Sequence, residues 1–343
     1  MSDCMKVRRQ VDPETLAKEL SGLTVLPGVA PWRSKTRALA KAITFVESDS
    51  LFATEILAHE LFNSVEIKSW VIGLTGLPGA GKSSLTNLLL RDIRAQGKTV
   101  AVLAIDPSSS ATGGAILGDR IRMQDHFRDE GIFIRSMGNR GALGGVARAT
   151  RSAIRLASLL NFDYILVETV GIGQNESEIV DIADTTLLVL MPNSGDEIQL
   201  MKAGILQLAD IYIVNKSDLS DPSRMMREIH ENTAPADLTL WCPPVLKSSV
   251  SRDEGSREIL ESIQTHQKFN KNSTELCILR RKRAQKEVLI NTLSILEPHL
   301  LKRIAETHQD RIENIVNGKE PAMRLAKEFS ELLLTQSKFL SQD

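Results

Sequence analysis

The strongest chemical signal in the chain lies between Gly76 and Ser84, which reads Gly76-Leu77-Pro78-Gly79-Ala80-Gly81-Lys82-Ser83-Ser84. The spacing GxxxxGK[ST], after the apolar run WVIGLT and before SLTNLLLRDI, is that of a phosphate-binding loop between a strand and a helix. Glycines let the chain turn tightly enough to aim several backbone N–H groups at one anion, and the positive end of the following helix adds to their field. Lys82 can reach β- and γ-phosphates, and the Ser83 hydroxyl can ligate Mg²⁺.

A second set lies about 130 residues further on, where an apolar run ends in Asn215-Lys216-Ser217-Asp218, the NKxD pattern. The Asp218 carboxylate can accept from both N1–H and the exocyclic amine of guanine, a donor pair that adenine lacks. Two charge-assisted bonds of about 1.5–3 kcal/mol each favour GTP over ATP. Lys247-Ser248-Ser249 follows another short apolar run and can lay backbone N–H groups against the guanine oxygen.

Carboxylates at two further strand ends fit a metal shell. The run Val100–Ile105 leads into Asp106-Pro107-Ser108, then a Ser/Gly-rich stretch carrying Asp119, with the composition of a loop that can close on a γ-phosphate. Either aspartate could instead be a structural cap. Tyr164–Val167 ends in Glu168-Thr169-Val170-Gly171-Ile172-Gly173-Gln174. Here Glu168 can hold a metal through water and the Gly171 N–H can sense the γ-phosphate. Gln174 either orients the attacking water or is an ordinary loop residue. A third glycine-centred loop, Asn193 to Gln199, carries Gly195, Asp196 and Glu197.

The elements that must hold these loops follow from pattern. Short β-branched runs alternate with helical stretches from Ser69 to about Thr265, which predicts an α/β P-loop NTPase fold with a mostly parallel, doubly wound sheet. Strands are expected at Trp70–Thr75, Val100–Ile105, Ile132–Arg135, Tyr164–Glu168, Thr186–Leu190, Ile211–Asn215 and Pro244–Lys247. Ligands of such sheets gather at the carboxyl ends of the strands. Residues 1–68 read as an N-terminal helical segment, 69–265 as the nucleotide domain and 266–343 as a C-terminal helical segment. The breaks at Gly22–Pro31 make the first helix a separate arm, and Pro298 and Gly318–Pro321 are expected to interrupt the tail. Arg280–Arg283 (RRKR) reads as a solvated helix face, with a targeting or docking role as the other reading.

Composition removes other classes. In 343 residues, 42 Lys and Arg nearly cancel 43 Asp and Glu, so the net charge gives no general attraction to nucleic acid or anionic lipid. Cys4, Cys242 and Cys277 lie far apart, with no CxxC pair for a disulfide scaffold or a zinc site. MSDCMKVRRQVDPE has no apolar leader core, and no apolar run approaches the roughly 20 residues that span a bilayer, so a cytoplasmic protein without membrane attachment is expected.

Together GLPGAGKSS, DPSSSATGGAILGDRIRM, ETVGIGQNE, SGDEIQ and NKSD closely resemble the MeaB/ArgK family of P-loop GTPases, the G-protein chaperones of adenosylcobalamin-dependent acyl-CoA mutases. Older descriptions of such proteins as LAO/AO (lysine/arginine/ornithine) transport system kinases exist as well. The resemblance covers most of the chain, including RALAKAITFVES and the helical tail; DPSSxxTGGxILGDxxRM is its discriminating motif. It implies a homodimer assembled partly through the C-terminal helices, GTP or GDP with Mg²⁺ as ligands, and hydrolysis raised by a mutase whose cofactor loading the protein gates. It also implies that Lys82 and Ser83 bind phosphate and Mg²⁺, that Asp106, Asp119 and Glu168 form the metal and switch shell, and that Asn215 and Asp218 read guanine. Ser84 and Ser217 stand where relatives often carry Thr and Ala. A nickel-delivery GTPase would be expected to show a His-rich tract or a Cys pair, and 6 His with no CxxC argue against it. NKSD argues against the other alternative, a small-molecule or protein kinase.

Overall fold

Apolar runs without polar alternation are suited to strands covered on both faces, and seven of them pair here into one sheet. The computed structural model describes residues 12–48, 51–60, 68–106, 126, 129–138, 145–169, 179–192, 209–233, 241–271 and 273–340. The strands are β1 (Trp70–Gly76), β2 (Val100–Asp106), β3 (Ile132–Gly138), β4 (Tyr164–Thr169), β5 (Thr185–Leu190), β6 (Ile211–Val214) and β7 (Val245–Lys247). Their order is β3-β2-β4-β1-β5-β6-β7, and every pairing is parallel. All seven expected strands are present, and the α/β P-loop architecture is borne out.

Among the described residues ten helices accompany them: α1 (Pro13–Ser21), α2 (Pro31–Glu47), α3 (Leu51–Leu57), α4 (Lys82–Ala95), α5 (Gly145–Leu159), α6 (Ser223–Thr233), α7 (Ser256–Lys271), α8 (Thr274–Thr307), α9 (Gln309–Val316) and α10 (Ala322–Leu340). Alternate strand residues feed two cores. Ile72, Leu74, Val102 and Leu166 pack with Leu85 and Leu89 of α4, Ile229 of α6 and Ile259 of α7. On the other side Val71, Leu103, Ile165 and Val167 pack with α1, α2 and α5. The chain divides into two compact units, Met1–Arg283 and Ala284–Asp343. In the second, Arg311 pairs with Glu320 and, at 2.6 Å, with Glu328, while His308 meets the Phe329 ring edge-on.

Three local expectations are corrected. The first helix is not a separate arm. Asp12 caps α1 by accepting the Thr15 N–H at 3.1 Å, Gly22 ends it at φ +81°, and Leu16 and Leu20 lie fully buried in the α2–α5 core. The loop at Gly22–Pro31 therefore folds α1 back, because its apolar stripe is stable only when covered. Pro298 does not interrupt the tail; it lies inside α8, whose helical period continues on both sides of it. Nor is RRKR simply a solvated face. Arg280 and Arg283 reach Asp184 at 3.0 and 3.1 Å, and Arg283 also donates to the carbonyls of Val180 and Ala183. A basic run cannot reveal from sequence that a buried carboxylate waits for two of its members.

These arginines belong to a polar network at the amino-terminal edge of the sheet. The Asp184 carboxylate also accepts the Val71 N–H at 3.1 Å, tying the start of β1 to the start of β5. Beside it, Trp70 Nε1 donates to Thr185 Oγ1 at 2.8 Å, and that hydroxyl lies 2.9 Å from His266 Nδ1. Asp210 takes the Thr186 N–H at 2.7 Å and lies 3.5 Å from His266 Nε2.

Two outcomes are expected from this edge. Asp184→Ala strands Arg283 without its carboxylate and should cost about 3–5 kcal/mol in denaturant unfolding. Burial pushes the Asp210 carboxyl up to about 6, so the folded state holds its proton more tightly than the unfolded chain, whose Asp value is about 3.9. That contribution is complete below about pH 4 and is lost as pH rises through about 6. His266, pushed down to about 4 by burial, acts in the opposite sense, its contribution being lost as pH falls from about 6.5 through about 4. Asp210→Asn should therefore raise the thermal midpoint at pH 7.5 relative to wild type, and the gain should disappear near pH 4.

Candidate nucleotide-binding site

Because every strand is parallel, the carboxyl ends of β1, β4, β6 and β7 lie at one edge. β1 lies between β4 and β5, so the phosphate-loop sequence leaves the sheet near its middle. Gly76 has φ +141°, and a Cβ there would lie 2.0 Å from the Val189 carbonyl oxygen, so only glycine lets the loop depart this close to β5. Leu77 and Ala80 are buried while Pro78 and Gly79 form an exposed tip; Gly81, at φ +89°, starts α4. Lys82 is buried, and its Nζ donates to the carbonyls of Gly76 at 2.7 Å and Leu77 at 2.9 Å, which lays the amine over the loop. Ser84, two residues further along α4, is exposed.

Glu168 is the penultimate residue of β4, and its side chain is buried. The Ser83 hydroxyl donates to Oε1, and Thr86 Oγ1 donates to Oε2 at 2.9 Å. A buried carboxylate needs such partners. Their effect is to place a hydroxyl and a carboxylate, both hard oxygen donors, in contact at the mouth of the phosphate loop.

The turn after β6 carries two different polar residues. Asn215 is buried, its Nδ2 donating to the Ala80 carbonyl at 2.7 Å and its Oδ1 accepting from Ser248 Oγ at 3.0 Å. Lys216 then adopts the left-handed φ of +58°. Asp218 is partly exposed, with Oδ1 2.6 Å from Ser249 Oγ and Oδ2 2.8 Å from Ser251 Oγ. The Ser249 hydroxyl, followed by that of Ser251, holds the Asp218 carboxyl below the usual carboxylate range. At neutral pH it is an ionised acceptor.

The structure thus brings Gly76, Leu77, Pro78, Gly79, Ala80, Gly81, Lys82, Ser83, Ser84, Glu168, Asn215, Lys216, Asp218, Ser248 and Ser249 to one edge. The serines differ from expectation in detail. The Ser248 N–H donates to Val214 O at 2.9 Å and the Ser249 N–H to Glu254 O at 3.1 Å, so sheet and turn use these amides, while the hydroxyls hold Asn215 and Asp218. Asp106 ends β2, but its side chain, together with Asp119, Gly171, Gln174 and the Gly195–Gln199 loop, lies outside the described residues. Sequence reasoning missed Thr86 and Ser251. Thr86 lies three residues after Ser83, a spacing that puts both on one helix face and could have flagged it.

Comparison with known families follows the same motifs. Residues 39–309 match the family described as methylmalonyl-CoA mutase-associated GTPase MeaB. The chain belongs to this family. A protein of Pyrococcus horikoshii, provisionally named a GTPase, is 40% identical over 288 residues, covering 82% of this chain and 89% of that one. The mouse mitochondrial methylmalonic aciduria type A homolog is 35% identical over 266 residues, covering 73% of this chain and 64% of its own. Among solved structures, an LAO/AO transport system kinase superposes with a TM-score of 0.66 at 23% identity, covering 94% of this chain and 99% of that one, a likeness of fold. As a MeaB member, the protein is a P-loop GTPase, and the guanine nucleotide expected from NKSD agrees with the family.

The loop's fit can be tested by paired substitutions. A Cβ on Gly81 would lie 2.4 Å from Asn215 Nδ2, whereas nothing lies within 4 Å of one on Gly79. Both positions have positive φ, so both alanine variants carry roughly 1–2 kcal/mol of backbone strain. Only Gly81→Ala should also displace Asn215, giving the larger loss of stability and of nucleotide affinity when the two are compared by denaturation and titration.

Proposed function

We propose that the protein is a GTP-binding and GTP-hydrolysing chaperone that gates adenosylcobalamin loading and protects or reactivates an acyl-CoA mutase of the methylmalonyl-CoA mutase type. The observation that carries this reading is the family match over residues 39–309, whose description names that mutase. In this reading the backbone N–H groups from Gly79 to Ser83 and the Lys82 amine bind the phosphates, and Asn215 and Asp218 hold the base.

The donor set fits Mg²⁺, which prefers hard oxygen ligands. Ser83 would hold the ion, with Glu168 and the strand-end Asp106 around it and Asp119 from the following loop. When bound, the ion neutralises charge on the phosphates. The protein's own part is positioning: Lys82 countering charge, the Gly171 N–H meeting the γ-phosphate and Gln174 orienting the attacking water. Exposed Val288, Leu289, Leu293, Leu296 and Leu301 on α8 support a homodimer built on the C-terminal helices. Among the described residues, no helix is long and apolar enough to cross a membrane, and the reading keeps the protein in the cytoplasm without nucleic-acid partners.

Lys82→Ala should abolish nucleotide binding, and wild type should select GTP over ATP in a competition titration. The chaperone role is checked by mixing the protein with acyl-CoA mutases. GTPase stimulation and GTP-dependent recovery of an inactivated mutase are expected; if no mutase shows either, the role fails.

A further inference from the structure

The far end of the phosphate-loop helix meets the turn after β7. Arg91 lies on α4 eight residues after Ser83, about 12 Å along the helix axis. Its guanidinium forks onto Asp253, with NH1 to Oδ2 at 2.9 Å and NH2 to Oδ1 at 2.5 Å. Asp253 is a non-glycine residue at φ +58°, at the end of the short 3₁₀ turn Val250–Arg252.

This turn is closed on itself. Ser249 and Glu254 exchange backbone hydrogen bonds at 3.1 and 3.0 Å, and the Asp253 N–H returns to the Val250 carbonyl at 3.2 Å. Gly255 packs so close to β7 that a Cβ would lie 2.4 Å from the Lys247 carbonyl oxygen. Fixing Asp253 therefore fixes the whole turn, including the two serines bonded to Asp218 at 2.6 and 2.8 Å. Each carboxylate oxygen has two lone-pair directions. The serine hydroxyls take one on each oxygen and leave the other for a base edge.

We propose that Arg91 is a positioning residue for guanine selection: through Asp253 it holds the 249–255 turn so that the Ser251 hydroxyl joins that of Ser249 in orienting the Asp218 carboxylate. The proposal rests on reading Asp218 as the guanine reader and adds what aims it. Arg91 and Asp253 are about half exposed, where an ion pair adds little net stability. Its consequence is geometric, so it shows in a ratio of affinities rather than in a melting curve.

The test compares dissociation constants for GTP, ITP and ATP in wild type, Arg91→Ala, Asp253→Gly and Ser251→Ala. ITP keeps the N1–H and ring oxygen of GTP but lacks the exocyclic amine. Asp253→Gly keeps the left-handed turn while removing the carboxylate. Each variant should lower the GTP-over-ITP preference about two- to fivefold with little change in thermal midpoint. Ser251→Thr, which keeps the hydroxyl, and the exchanged pair Arg91→Asp with Asp253→Arg should restore it. If wild type prefers GTP but the variants leave the ratio unchanged, or weaken GTP and ITP equally, the positioning role is overturned while the Asp218 reading stands. If wild type binds ATP as tightly as GTP, the Asp218 reading itself fails and the proposal falls with it.

Discussion

One buried carboxamide organises the nucleotide edge. Asn215 spends its amide nitrogen on the Ala80 carbonyl and its oxygen on the Ser248 hydroxyl, so the loops after β1, β6 and β7 share one rigid group. A buried polar atom left unpaired costs about 1–3 kcal/mol, which makes the three loops interdependent. Glycine at position 81 follows from the same contact, because the amide nitrogen occupies the space a Cβ would need. The GxxxxGKS loop and the NKSD turn, about 130 residues apart in the chain, are thereby held at a fixed separation.

The two edges of the parallel sheet divide the work. At the carboxyl edge, Glu168 and Asp218 are held by hydroxyls, which orient a carboxylate without neutralising it and leave its charge for a ligand. At the amino edge, Asp184 meets two guanidinium groups and a backbone amide, a pairing that consumes its charge in holding β1, β5 and the start of α8 together. Hydroxyl partners suit binding and arginine partners suit structure, and Glu168 and Asp218 differ from Asp184 accordingly.

Much of the fold was legible because its signals are local. Strands buried on both faces read as β-branched runs, and the expected ends fell within a few residues of the observed ones; β1, β2 and β4 extend by one residue to Gly76, Asp106 and Thr169 because ladder pairing continues past the apolar run. The loops at the carboxyl edge were found from glycine spacing and from acids at strand ends. What stayed hidden depended on partners distant in sequence. The docking of α1 needed the surface of α2 and α3, the pairing of Arg280 and Arg283 needed Asp184, and Ser251 gained meaning only once the turn closing at Glu254 brought it to Asp218.

By itself the sequence determined the class of fold, the order of its strands and helices, the phosphate loop and the choice of guanine, since each is written in residue types at short, fixed spacing. Tertiary structure alone decided how those pieces constrain one another: which oxygen of Asp218 each serine holds, that the Ser248 and Ser249 amides are used within the sheet and turn, and that α4 meets the 249–255 turn through Arg91 and Asp253. The physical reason is that hydrogen bonds and ion pairs are set by distance in space, and residues such as Arg91 and Asp253 become neighbours only after the apolar runs have chosen their faces and closed the sheet.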